Sequence, residues 1–174
     1  MLNSNLRMEM PIVKVLEFNE ISDLVGGAET VVVAVLTHFT GEVSGMTLFI
    51  LEKEEAKKLV STMIPKTFSD DFSCFDAMDK SALKEIGNIL MSSYISSIST
   101  LTNLKIRTAP PAICVDMVGS VLSLPISELG QVGDRALIID SKILDNERQI
   151  NGLLLLVTDE SSFDHIFESL GIRS

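Results

Sequence analysis

Two stretches of this chain are versions of one pattern. GMTLFILEKEEAKKLVSTM, from Gly45, aligns without a gap on GLLLLVTDESSFDHIFESL, from Gly152, over nineteen residues. Gly45 meets Gly152, the strand residue Leu48 meets Leu155, and Leu59, Val60 and Met63 meet Ile166, Phe167 and Leu170. Identity is low, but element order and apolar phase agree. A short continuous apolar run reads as a buried strand, and the spacing after it reads as an amphipathic helix. A duplicated strand–strand–helix unit predicts two similar halves about a pseudo-two-fold axis, in the α+β class.

The other elements fit around this repeat. Residues 31–36 (VVVAVL) read as a buried strand, Thr40-Gly41-Glu42 as a turn and residues 45–51 as its hairpin partner. Residues 52–63 read as a helix through Ala56, Leu59, Val60 and Met63, closed by Pro65. Residues 66–75 form a polar, acidic connector. Residues 81–101 form the longest helical stretch, and Pro110-Pro111 close the segment after it. Residues 113–118, 136–139 and 152–158 read as strands, and 161–170 as a closing helix. Upstream, Asn5-Leu6-Arg7 runs on to Met10-Pro11 as Asn103-Leu104-Lys105 runs on to Pro110-Pro111. The first half therefore begins where its own long helix should have ended, and it is shorter between Pro11 and Gly45. The expected organisation is one domain over 1–174, with halves at about 1–65 and 79–174 and a connector over 66–78.

Charge and composition exclude several roles. Fourteen Lys and Arg against twenty-four Asp and Glu give a net charge of −10. Such a surface repels phosphate backbones, so no nucleic-acid partner is expected. One Tyr and no Trp argue against base stacking. The apolar runs are strand-sized, well below the roughly 18 residues of a membrane span, and the first residues carry no apolar targeting core. Two cysteines far apart fit a reducing compartment, so the expected location is the cytoplasm.

The long helix carries the chemistry. At about 100° per residue, Ser81, Glu85, Asn88 and Ser92 fall on one polar stripe. Leu83, Ile86, Leu90, Tyr94, Ile98 and Leu101 cluster opposite and should face the core. Gly87 lies on the buried flank; a mid-helix glycine costs about 1 kcal/mol against alanine, which points to close packing on a neighbouring element. On the residues alone, Glu85 and Asn88 are what any solvated helix face would show.

The segment S-A-L-K-E-I-G-N, then twenty-two residues and Pro111, resembles the signature of the CheC-type phosphatases of bacterial and archaeal chemotaxis. Ser81, Glu85, Asn88 and Pro111 fall on its four positions. The flanks EIGNILMSSYISSISTLTNLKI and PPAICVDM, and the closing LGI, are similar to the family as well. The resemblance implies two halves sharing a mostly antiparallel sheet flanked by long helices. It implies removal of phosphate from an aspartate of the response regulator CheY, with Asn88 entering the regulator's active site and Glu85 anchoring to its surface. The magnesium ion of such a reaction would belong to the regulator, with no cofactor held by this chain.

The chemistry suits the residues. An aspartyl phosphate is already activated, so hydrolysis needs chiefly a water held in line with phosphorus. A carboxamide both donates to and accepts from such a water without changing charge. The resemblance also implies a second such helix, one per half; the first should end just before Met1, so either the chain is shortened or this member has lost that helix. That gap would leave apolar sheet uncovered and favour self-association. The resemblance implies a competing role too, as an adaptor that binds and restrains the receptor deamidase CheD. A third reading, a flagellar switch component, ranks low because those carry an additional switch domain.

The remaining chemical residues are assigned bland roles. His38 and His165 lack ligand-spaced neighbours and read as surface or boundary histidines. Cys114 reads as a core thiol and Cys74 as a connector residue. Gly26-Gly27 and residues 130–133 read as turns, and Ser69-Asp70-Asp71 as solvated linker rather than a metal site.

Overall fold

The computed structural model describes residues 6–68, 75–130, 132–145 and 148–171. Cys74 and Ser69-Asp70-Asp71 lie outside them. The described chain runs β1 (Leu6–Met8), β2 (Ile12–Glu17), α1 (Phe18–Leu24), β3 (Val31–Gly41), β4 (Gly45–Glu52), α2 (Lys53–Met63), α3 (Ala77–Thr102), β5 (Ile106–Thr108), β6 (Ala112–Met117), α4 (Val118–Leu129), β7 (Arg135–Asp145), β8 (Arg148–Thr158) and α5 (Glu160–Ser169). This is an α+β fold.

Every strand pair is antiparallel. The path across the sheet is β1–β7–β8–β4–β3–β5, with β2 also on β7 and β6 also on β3. The sheet is thus built twice over: β5 and β6 lie on β3 as β1 and β2 lie on β7. At its centre Leu48 of β4 faces Leu155 of β8, the two residues that the repeat equates. The repeat's glycines also share a reason. A β-carbon on Gly45 would meet the carbonyl oxygen of Val157 at 2.2 Å, and one on Gly152 would meet the Phe49 ring at 2.4 Å. Both central strands depend on a residue with no side chain at that point.

The central strands are buried on both faces, which is why 31–36 reads as a continuous apolar run rather than an alternation. One face carries Val33, Val35, Phe49, Leu51, Ile139 and Leu154 under α2 and α3. The other carries Val32, Ala34, Leu36, Leu48, Ile138 and Leu155 under α1 and α4. At one end of the sheet Phe39, Leu137 and Leu156 pack with Ile95 of α3 and Ile166 of α5.

Some expectations require correction. β3 continues through Gly41, so the β3–β4 turn is residues 42–44 rather than Thr40-Gly41-Glu42. Val118 opens α4 instead of closing β6. Leu101 is 72% exposed rather than inward; it lies in the last turn of α3, just before Asn103 ends the helix in a left-handed conformation. The first half is indeed shorter between β2 and β4, because α1 has 7 residues where α4 has 12.

The halves differ most in cover. In the second half α3 packs over β6, with Ile113 and Val115 against its core cluster. In the first half Val13 and Val15 of β2 face the same side of the sheet as Ile139 and Leu137, their partners on β7. They are 56% and 39% exposed.

Candidate functional site

α3 is set at its start by a compact polar cluster. Asp76 caps the helix, its Oδ1 accepting from the backbone N–H groups of Met78 and Asp79 at 2.9 Å each. Asp79 returns the bond, its Oδ2 accepting from the Asp76 N–H at 2.9 Å. This reciprocal box satisfies donors that a helix end otherwise leaves orphaned. Lys66 Nζ reaches in from the connector to Asp79 Oδ2 at 2.6 Å and Asp76 Oδ2 at 3.0 Å. Asp79 is fully buried. The backbone bond from Asp79 and the nearby Lys66 hold the Asp76 carboxyl below its usual range, and hydrogen bonding to Asp79 and Asp76 raises Lys66. The cluster escaped the sequence reading, although D-x-x-D before an apolar-periodic run was its visible signal.

Two turns further on comes the motif. Leu83, Ile86, Leu90, Met91 and Ile95 are buried, which fixes the helix azimuth. Ser81 and Glu85 are then exposed and Asn88 half-buried on the outward side. Among the described residues, neither the Glu85 nor the Asn88 side chain has a hydrogen-bond or ion-pair partner within the chain. Gly87 is pressed onto β3: a β-carbon there would stand 2.8 Å from Val35 Cβ. The close packing anticipated for this glycine is present. Further along, Tyr94 and Ser141 of β7 share a 3.1 Å hydrogen bond, and Thr47 of β4 donates to Met91 Sδ at 3.3 Å.

Pro111 is half-buried just ahead of β6. Its segment is tied to β3, not directly to Glu85 or Asn88: Ala109 N–H donates to the His38 carbonyl at 2.8 Å, and Thr37 Oγ1 donates to the Ala109 carbonyl at 2.6 Å. Val35, under Gly87, is the β3 partner of Ile113. β3 is therefore the element that the motif helix and the proline segment share. Ser81, Glu85 and Asn88 share one helix, whereas Pro111 belongs to the platform beneath it.

The other chemical residues stand apart. His38 Nε2 lies 2.7 Å from Glu128 of α4, a partner distant in sequence and invisible in it. Cys114 is half-buried against the α1–α4 cluster, and burial, with Asp116 nearby, pushes its thiol up. Gly26 and Gly27 form a turn with positive φ. Among the described residues no group of three His, Cys, Asp or Glu side chains could hold a metal ion, and no helix is long and apolar enough to cross a membrane.

A family model for CheC-like proteins matches residues 78–115, the span from the start of α3 through the proline segment into β6. The chain is also 33% identical over 175 residues to the CheY-P phosphatase CheC of Bacillus subtilis, covering 98% of this chain and 83% of that protein. The chain belongs to the CheC-like family. Solved structures agree on the fold. Thermotoga maritima FliY is similar with a TM-score of 0.70 at 15% identity, over 98% of this chain and 84% of that one. CheX of Borrelia burgdorferi, in a complex with CheY, BeF3 and Mg2+, is similar with a TM-score of 0.50 at 18% identity, over 89% of this chain and 85% of that one. In this CheC-like chain Ser81, Glu85 and Asn88 lie on the outward side of α3, and Pro111 follows the Ala109 segment that is held to β3.

Proposed function

We propose that this chain hydrolyses the aspartyl phosphate of phosphorylated CheY, with Asn88 positioning the attacking water and Glu85 docking on the regulator. One observation carries the reading. Glu85 and Asn88 lie one turn apart on a helix locked in place by buried contacts, yet among the described residues their polar groups have no partner. Rigid backbone with unspent side-chain hydrogen bonds is what a docking site of this kind requires.

Each role rests on chemistry. The Asn88 carboxamide oxygen can accept a hydrogen bond from the water while its N–H donates one to a phosphoryl oxygen, bringing water and phosphorus into line. Glu85 presents a carboxylate to a Lys or Arg beside the phosphorylation site, a charge-assisted contact. The magnesium that shields the phosphoryl oxygens stays on the regulator. The relation to a CheY-P phosphatase supports this choice of substrate, as does the similar fold of a CheX that forms a complex with CheY.

The test is phosphate loss from phosphorylated CheY, with and without this protein. The unmodified chain should accelerate it, and Asn88→Ala should remove most of the acceleration with the fold intact. An unchanged rate for Asn88→Ala ends the water-positioning role.

A second reading has its own observation. The uncovered apolar residues Val13 and Val15 of β2 suit a protein partner, and an adaptor for CheD would use such a surface. Retention of this chain on immobilised CheD, lost on Val15→Lys, would favour it.

A further inference from the structure

The outward side of α3 is not uniformly polar. Met78 is 66% exposed and Ile89 48% exposed, although the other large apolar residues between them, Leu83 and Ile86, are buried. At 100° per residue, Met78, Glu85 and Ile89 fall within about 40° of one another. At about 1.5 Å rise per residue they form a ridge roughly 16 Å long, with Glu85 between its apolar ends. The neighbouring outward positions, Ser81, Ser93 and Ser96, are small and exposed, and leave the ridge accessible among the described residues.

We infer that Met78 and Ile89 are the apolar anchors of the surface that receives phosphorylated CheY, and that they set its affinity. This rests on the phosphatase reading. Charge and continuity decide the occupant. Ile89 adjoins Asn88 in sequence and lies one turn beyond Glu85, so a body that engages those two side chains must pass over it. The partner face must present a cation for Glu85 flanked by apolar surface. An anionic lipid surface offers the wrong sign to Glu85, and a second copy of this chain, at net charge −10, is repelled overall.

The experiment measures dephosphorylation across a range of phosphorylated CheY concentrations for the unmodified protein, Ile89→Ser, Met78→Ser and Ile89→Met, with binding of beryllofluoride-activated CheY measured in parallel. Ile89→Ser should raise KM by about tenfold, as truncating an interface anchor does, and leave kcat within about twofold. Ile89→Met should restore affinity. Raising the salt should leave the effect of Ile89→Ser unchanged while erasing that of Glu85→Ala, because apolar burial is not screened. Unchanged KM and binding for both serine variants would overturn the inference and leave the phosphatase reading standing. So would a fall in kcat that tracks a lowered Tm, or a changed sedimentation coefficient without any change in CheY binding. Conversely, an unmodified protein that binds activated CheY through Ile89 but does not speed phosphate loss would end the phosphatase reading and keep the surface.

Discussion

Gly87 of α3 lies so close to Val35 of β3 that a β-carbon on it would stand 2.8 Å from Val35 Cβ and 2.9 Å from both of that residue's methyl groups. Val35 has no solvent exposure and pairs with Ile113 across β3–β6, so it has no room to withdraw. This one contact fixes the height of the motif helix above the sheet, one residue before Asn88.

Gly87→Ala should therefore destabilise the protein, against the general trend. Alanine gains about 1 kcal/mol over glycine in a helix interior, but overpacking a tight core costs about 1–3 kcal/mol. The net loss should lower Tm by a few degrees and shift Glu85 and Asn88 outward, reducing phosphatase activity. Gly87→Ala combined with Val35→Ala should recover part of both. Thermal melts and phosphate release on the two variants measure it.

Glu85→Ala should leave Tm within about 1 °C, since an exposed side chain with no partner among the described residues contributes less than about 0.5 kcal/mol to folding. Its effect should fall on KM rather than kcat and shrink as salt rises, as expected of a solvent-accessible ion pair between two proteins. Titrating phosphorylated CheY at two ionic strengths separates the two parameters.

The repeat made β4, β8, α2 and α5 legible, the continuous apolar run of residues 31–36 gave β3, and helical phase gave the buried side of α3, because burial leaves an apolar signature. Elements without such a signature were missed. α1 has only seven residues and one fully buried side chain, Ile21. α4 holds Gly119, three serines and an interior Pro125, a composition that reads as loop; tertiary burial of Val118, Val121, Leu122 and Pro125 keeps it helical. β1, β2 and β5 are short edge pieces, and the side chains of β2 and β5 are exposed apart from the half-buried Leu16 and Ile106. For the site, motif spacing placed Glu85 and Asn88, and helical phase set their direction. Phase alone failed for Leu101, because it tells which side a residue takes but not whether the fold supplies a neighbour there. The Lys66–Asp79 contact spans the connector, and no local pattern encodes it.

Cys114 should be a slow thiol. Burial disfavours its thiolate, and Asp116 adds to the shift, so its titration lies above the usual cysteine value of 9.0. In a Cys74→Ser background, iodoacetamide at pH 8 should label native protein far more slowly than urea-unfolded protein. Mass spectrometry of the time course gives both rates. Equal rates would place Cys114 in solvent.

Lys66→Met should loosen the start of α3 more than its surface position suggests. The substitution leaves the buried Asp79 carboxylate with the Asp76 N–H but without its cation, and losing a hydrogen bond between charged groups costs about 1.5–3 kcal/mol. The shifts set the pH dependence. Asp76 is depressed in the folded state, so its contribution is present above the unfolded value of 3.8 and is lost as pH falls through the lower folded value. Lys66 is raised, so its contribution is full below the unfolded value of 10.5 and is lost as pH climbs through the higher folded value. Between these limits the cluster should hold α3 without change. Amide exchange in the first turn of α3 should therefore show pH-independent protection in the unmodified protein from about pH 5 to 9, after correction for intrinsic exchange. Lys66→Met should lower that protection across the whole range, and protection equal to the unmodified protein's would show that the connector does not hold the helix start.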